Sequence, residues 1–127
     1  MITEGMTITI TDKVTEANTA KALGSGSLDV YATPAMILLI ERAAVTLLEG
    51  NLDSGMSSVG TRLDVEHVAP SPVGSEITCQ VTLTEIDRRN LTFSVEVRDQ
   101  FDESGRGTHC RCIITPDRFM KKAATRL

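Results

Sequence analysis

The stretch Thr33–Gly50, TPAMILLIERAAVTLLEG, reads as one long buried helix. Thr33 offers an N-cap hydroxyl, Pro34 suits the first helical position, and Gly50 supplies a stop roughly four and a half turns later. Nearly every residue between them is apolar. Arg42, Thr46 and Glu49 form the polar stripe, and Glu41 does not lie on it. Its helical neighbours are Pro34, Ile37, Leu38, Ala44, Val45 and Leu48, which turns its carboxylate about 100° from the solvated direction. Burying a carboxylate without a partner raises its pKa and costs several kcal/mol. Glu41 is therefore a candidate general base or nucleophile in a pocket between helix and sheet. The plain alternative is an ion pair with Arg42 or with a strand arginine.

Around this helix the chain alternates with the period of strands. Met6–Thr11 is the first, with Met6, Ile8 and Ile10 on one face. Val59–Ala69 follows the helix, placing Val59, Thr61, Leu63, Val65, His67 and Ala69 on one face and Gly60, Arg62, Asp64, Glu66 and Val68 on the other. Glu76–Glu85 turns Ile77, Cys79, Val81 and Leu83 inward, Leu91–Val97 does so with Leu91, Phe93, Val95 and Val97, and Gly107–Thr115 is the last strand. Thr15–Leu23 reads as one or two helical turns, Gly24–Ser27 as a flexible joint able to cover a site, and Asn51–Ser58 as a loop. Pro70–Gly74, Asp87–Asn90 and Asp102–Gly105 are turns, and Asp117–Leu127 is a charged tail.

One strand, one long apolar helix and four strands joined mostly by tight turns predict an α+β fold, a curved antiparallel sheet of about five strands wrapped round the helix. The 127 residues suit a single domain, 1–127. One layer of this kind leaves the outer sheet face or an edge uncovered, so pairing with a second copy is expected.

The formal net charge is −4, the tail pair Lys121 and Lys122 is the basic cluster noted, and aromatic residues are few, with no Trp. Nucleic acid is not expected as a partner on both charge and stacking grounds. The three cysteines are odd in number and no charged-then-apolar leader opens the chain, which reads as a reduced, cytoplasmic protein. Ala35–Ile40 is far shorter than the ~20 apolar residues of a membrane span, so no membrane is expected as partner.

His67 points with the apolar set and is the second ionisable group on an apolar surface, so a cavity shared with Glu41 explains both. Thr33 needs no function as a cap, yet a helix N-terminus also stabilises an anion or a developing oxyanion. His109, Cys110 and Cys112 invite a metal reading. In a strand, however, the two cysteines point away from the histidine, and no metal is expected.

Taken in order, Ala32-Thr33 with Glu41, Gly60-Thr61 with His67, the proline turn ending at Gly74, and Gly107-Thr108-His109 with Arg111 resemble the hot-dog-fold thioesterases of the fluoroacetyl-CoA thioesterase group. The likeness runs from about Tyr31 to Phe119. It implies a long central helix wrapped by an antiparallel sheet, assembly as a homodimer or dimer of dimers with sites at the subunit interface, and hydrolysis of a small or medium acyl-CoA or related thioester. No cofactor is implied, CoA being part of the substrate. By position, Thr33, Glu41 and His67 match the catalytic set, Gly60 a glycine near the acyl group, and Arg111 a site arginine. The group's lid phenylalanines have no counterpart in Gly24–Val30, which points to a broader or different acyl-CoA in place of fluoroacetyl specificity. Two other functions suit such a chain: a non-catalytic acyl-CoA or hydrophobic-ligand binder, and an enoyl-CoA hydratase of the same fold. Hydratases, though, bring Asp and His from one strand-to-helix stretch, whereas Glu41 and His67 lie on separate elements.

Overall fold

The computed structural model describes residues 1–127. In chain order it comprises β1 (Thr7–Lys13), α1 (Ala20–Leu23), α2 (Thr33–Leu48), β2 (Ser57–His67), β3 (Glu76–Asp87), β4 (Asn90–Arg98), β5 (Glu103–Ile114) and α3 (Pro116–Ala124). The five strands form one sheet in the order β1-β3-β4-β5-β2, every neighbouring pair antiparallel. This is the expected α+β arrangement, with α2 laid on one face of the sheet and touching strands at both of its edges.

The core follows from the two periodicities. α2 buries Ala35, Met36, Leu39, Ile40, Ala43, Ala44, Leu47 and Leu48, a stripe at spacings of three and four. Against it stand Ile77, Cys79, Val81 and Leu83 of β3 and Leu91, Phe93, Val95 and Val97 of β4, every second residue of each strand. Burial pushes the Cys79 thiol up to about 12, so it is an inert core group. The alternate residues of β3 and β4, such as Gln80, Thr84, Ser94 and Glu96, are exposed. The outer face is therefore solvated, and β2, eleven residues long, is left as an open edge.

Three expectations change. Thr33 is not the N-cap: Ala32 holds the extended cap conformation (φ −74°, ψ 140°) and its carbonyl accepts from Met36 N at 3.0 Å. Thr33 becomes the first helical residue and Pro34 the second, which frees the Thr33 hydroxyl for another partner. β2 carries an irregularity between Gly60 and Arg62, with Thr61 as the extra residue. The parity of the strand switches there, so Gly60 faces α2 together with Leu63, Val65 and His67, while Val59 and Thr61 do not. The tail is also more ordered than its charge suggested, since Pro116–Ala124 forms α3 with no residue buried.

The joint before α2 is held by backbone pairing. Thr19 caps α1 through its hydroxyl, which accepts from Ala22 N at 3.1 Å, and Gly24 closes it in the left-handed region at φ 76°. Ala20 N and Lys21 N then donate to the carbonyls of Val30 and Leu28 at 2.8 and 3.0 Å. On β5, Gly105 admits the Met36 side chain; a Cβ there would come within 2.6 Å of its sulfur.

Leu39, 1% exposed, sits at the centre of the α2 stripe. Leu39→Ala is expected to lower the free energy of unfolding by about 2–5 kcal/mol, measured by urea denaturation.

Candidate functional site

Two clusters of polar side chains lie between α2 and the β5–β2 edge of the sheet. At the N-terminus of α2, Thr33 Oγ1 and His67 Nδ1 are hydrogen bonded at 2.9 Å. His67 ends β2, and its Nε2 is buried without a protein partner. The edge of its ring meets Tyr31, whose centroid lies 6.5 Å away at an interplanar angle of 87°. Tyr31 is itself 2% exposed, its hydroxyl donating to Asp12 Oδ2 at 2.8 Å. Burial and the Asp12 carboxylate hold that hydroxyl protonated well above the ordinary tyrosine range. Beside the pair opens a cleft of about 270 Å³, walled by Ser25 and Val30 from the joint and by Val68, Ala69 and Pro70 after β2. The joint expected to be able to cover a site thus forms one wall of this cleft.

Further along the helix stands the second cluster. Glu41 Oε2 accepts from Arg111 Nη1 at 3.3 Å, the Arg111 side chain being 6% exposed and that of Glu41 37%. A buried guanidinium is tolerable only when its donors are met. Ser58 Oγ accepts from Nε at 2.9 Å, Ser58 O from Nη2 at 3.2 Å, and His109 Nε2 takes the remaining contact with Nη1 at 3.2 Å. The other nitrogen of His109, Nδ1, lies 2.9 Å from Arg62 O. Since a carbonyl accepts only, Nδ1 carries the proton and Nε2 is the acceptor that Arg111 requires, so the ring is neutral. Burial lowers the affinity of both His67 and His109 for a proton, and at His109 the neighbouring Arg111 charge adds to this.

Gly60 completes this cluster. A Cβ on it would stand 2.5 Å from Glu41 Oε2 and 3.3 Å from Arg111 Nη1, so only glycine lets the carboxylate approach β2 this closely.

Of the five residues singled out, the fold brings Thr33 to His67 and brings Glu41, Gly60 and Arg111 together. It does not join the two groups within one chain. Thr33 and Glu41 are eight residues apart, about 12 Å at 1.5 Å per residue. Glu41 is half-exposed and engaged by a strand arginine, the ion-pair alternative raised by its position on the helix. Ser58 and Tyr31 were not foreseen as parts of a site, and His109 was raised only as a metal candidate and within the family motif, without a role of its own. For His109 the signal was available, since it shares the inward parity of β5 with Arg111, whereas Cys110 and Cys112 alternate with them.

The arrangement supplies a hydroxyl–imidazole pair beside a cleft, a carboxylate held by a buried cation, and backbone N–H groups at a helix start. Those parts suit attack on an acyl carbon. The profile of a family described as fluoroacetyl-CoA-specific thioesterase matches residues 14–117. The fluoroacetyl-CoA thioesterase of Streptantibioticus cattleyicolor is 36% identical over 94 residues, covering 74% of this chain and 68% of that protein. The solved structure of the fluoroacetyl-CoA thioesterase FlK superposes with a TM-score of 0.93 at 29% identity, over 100% of this chain and 98% of the other. A hot-dog-like protein from Thermanaerovibrio acidaminovorans shares the fold at a TM-score of 0.89 and 23% identity, over 98% and 92% of the two chains.

The two histidines predict a pH dependence of stability. Their folded affinities for protons are lowered below the ordinary value of 6.5, so under acid conditions the unfolded chain takes up protons that the folded chain refuses. Stability is therefore complete above pH 6.5 and falls as pH drops through that value toward the lowered folded values. Urea midpoints measured between about pH 7 and 5, a window in which carboxylates contribute little, should fall with acid. His109→Gln, whose amide can both accept from Arg111 and donate to Arg62 O, should flatten that fall.

Proposed function

The chain belongs to the fluoroacetyl-CoA-specific thioesterase family, and we propose that Thr33, Glu41 and His67 carry its reaction while Gly60 and Arg111 shape the site. It is an acyl-CoA thioester hydrolase of the hot-dog fold. Water cleaves the acyl–sulfur bond, giving a carboxylate, a proton and the CoA thiol. The observation that carries the residue assignment is the 2.9 Å bond from Thr33 Oγ1 to His67 Nδ1 beside a cleft.

The difficult step is attack on the carbonyl, because a thiol with a pKa near about 8.5 departs readily as thiolate. Glu41 acts on that step, either taking a proton from the attacking water or adding to the carbonyl itself before water releases the acid. His67, neutral at pH 7, carries the one proton that water gives up: it receives that proton from Glu41 in the first route, or takes it from the water that opens the acyl–glutamate anhydride in the second, and passes it to the sulfur that leaves as thiolate. Thr33 holds the imidazole in orientation through its hydroxyl. Arg111 holds Glu41 in place through the 3.3 Å contact, and Gly60 leaves room for the carboxylate. No cofactor takes part.

Glu41 lies ~12 Å along α2 from Thr33 at 1.5 Å per residue, and within one chain its carboxylate bonds Arg111 and not the Thr33–His67 pair. A homodimer brings the two together if Glu41 of each subunit meets the Thr33–His67 pair of the other. The surfaces suited to such pairing are the open β2 edge and the outward face of α2, where Leu38 is 57% and Val45 40% exposed. The acyl range we propose is small or medium and broader than or different from fluoroacetyl, because Ser25 and Val30 wall the cleft where the family resemblance implies phenylalanine. The three cysteines are free, which supports a reducing cytoplasmic setting, and no helix is long and apolar enough to cross a membrane.

A thiol-release screen over a panel of acyl-CoAs tests the activity. Glu41→Ala and His67→Ala should each lower kcat about 10²- to 10⁴-fold with the fold intact by circular dichroism. Mixing the two inactive variants under subunit exchange should restore hydrolysis, since one of the two composite sites in the mixed dimer is then whole; absence of rescue would place both residues in one subunit. Gly60→Ala, which drives a methyl into the Glu41 carboxylate, should reduce kcat about 10²-fold with only a small change in melting temperature.

A further inference from the structure

The β3–β4 turn, Asp87-Arg88-Arg89-Asn90, does not follow the chemistry of its own geometry. Arg88 adopts φ 57°, and it is the one residue other than glycine in the chain with positive φ. Two-residue hairpins favour Gly or Asn at such positions, because a side chain is strained there. A position that breaks a local rule is a place to look for function. The side-chain ion pairs of the chain engage Arg62, Arg98, Arg106 and Arg111, and neither Arg88 nor Arg89 has a carboxylate within reach. Both are exposed. Of the nearby acids, Glu4 is occupied, its Oε2 accepting from Ile86 N at 2.9 Å, and Asp87 belongs to the turn itself.

These two cations stand at the end of a groove. A cleft of about 570 Å³ lies against them, floored by Leu52, Met56 and Ile113, with Asp53 as the acid in its wall. A second cleft of about 370 Å³ shares Leu52, Asp53 and Met56 and runs on to Ser58. Ser58 is the residue whose hydroxyl and carbonyl hold Arg111, the partner of Glu41. The connection is also short through the sheet. Ile113 N donates to Arg89 O at 2.8 Å, and Arg111 is two residues back on the same face of β5, about 7 Å at 3.3 Å per residue.

We infer that the Arg88–Arg89 turn binds the phosphates of the 3′-phospho-ADP end of CoA, the pantetheine arm lying in the groove from Met56 to Ser58. The inference rests on the thioesterase reading for the identity of the ligand and assigns it a second anchor away from the reacting atoms. The complementarity is of shape and charge. A groove lined by Leu52, Met56 and the Gly50–Ser58 loop, with Glu49 and Asp53 as its acids, suits the polar amide arm, and planar guanidinium forks suit phosphate oxygens at its outer end. A chain with net charge −4 repels an anionic substrate at long range, so unpaired cations at the mouth of the groove also act on encounter.

The test variant is Arg88→Gly combined with Arg89→Ala. Glycine is at ease at φ 57°, so the turn should hold, and an undiminished melting temperature checks that. Wild-type protein should prefer an acyl-CoA over the same acyl group on pantetheine by about tenfold or more in kcat/KM. The double variant should lose that preference through a raised KM for the CoA ester. Adenosine 3′,5′-bisphosphate should inhibit the wild type competitively, less so at high salt, and should cease to inhibit the variant. An unaltered preference, or an equal loss on both substrates, overturns the inference. If the wild type releases thiol from no acyl-CoA, the functional reading fails separately. Calorimetric titration of adenosine 3′,5′-bisphosphate into wild type and variant then decides the anion site: binding lost in the variant supports it, and equal or absent binding overturns it.

Discussion

Arg111 places a guanidinium between sheet and helix with its side chain 6% exposed, and the surrounding structure is arranged to meet its donors. An unmet buried charge costs several kcal/mol, so each neighbour is constrained by it. Ser58 turns both its hydroxyl and its carbonyl to the arginine, His109 is held neutral in a single tautomer, and Gly60 gives up a side chain so that Glu41 can approach. The position of the α2 carboxylate is thus an outcome of the requirements of β5.

Much of the fold was legible because its periods are simple. β3 and β4 alternate without interruption across their inward residues, and α2 is apolar on the side it buries. The features that escaped depend on interactions remote in sequence. Thr33 has the chemistry of a cap, and it is the hydrogen bond to His67, thirty-four positions away, that uses the hydroxyl instead. The bulge at Thr61 leaves no mark in the local pattern of β2, since Val59 and Thr61 alternate with Gly60 as plausibly as they would in a regular strand. α3 has a charged sequence and no buried residue, so no apolar stripe announced it.

The candidate site was legible in part. Glu41 and His67 stood out as ionisable groups among apolar ones, and Arg111 and Gly60 came from a family resemblance. Their division into two clusters did not follow from the sequence, because it depends on where the helix crosses the strands. Nor did the tautomer of His109, which is set by the carbonyl of Arg62 on the neighbouring strand, next to its cross-strand partner Leu63. Fold and family together explain why the chain carries an acid and a histidine on apolar faces. The spacing along α2 keeps the Thr33–His67 pair and the Glu41–Arg111 pair apart as two clusters within the chain.

The bulge in β2 has a further meaning. Gly60 and His67 are separated by an odd number of positions, and a regular strand would send them to opposite faces. The one unpaired residue at Thr61 restores their phase, so the glycine that seats Glu41 and the histidine that bonds Thr33 look toward the same helix. What Thr61 contributes is a count more than a side chain. A substitution there leaves the phase intact, whereas loss of a single residue from this segment would turn one end of the site inside out while leaving every other strand of the sheet in register.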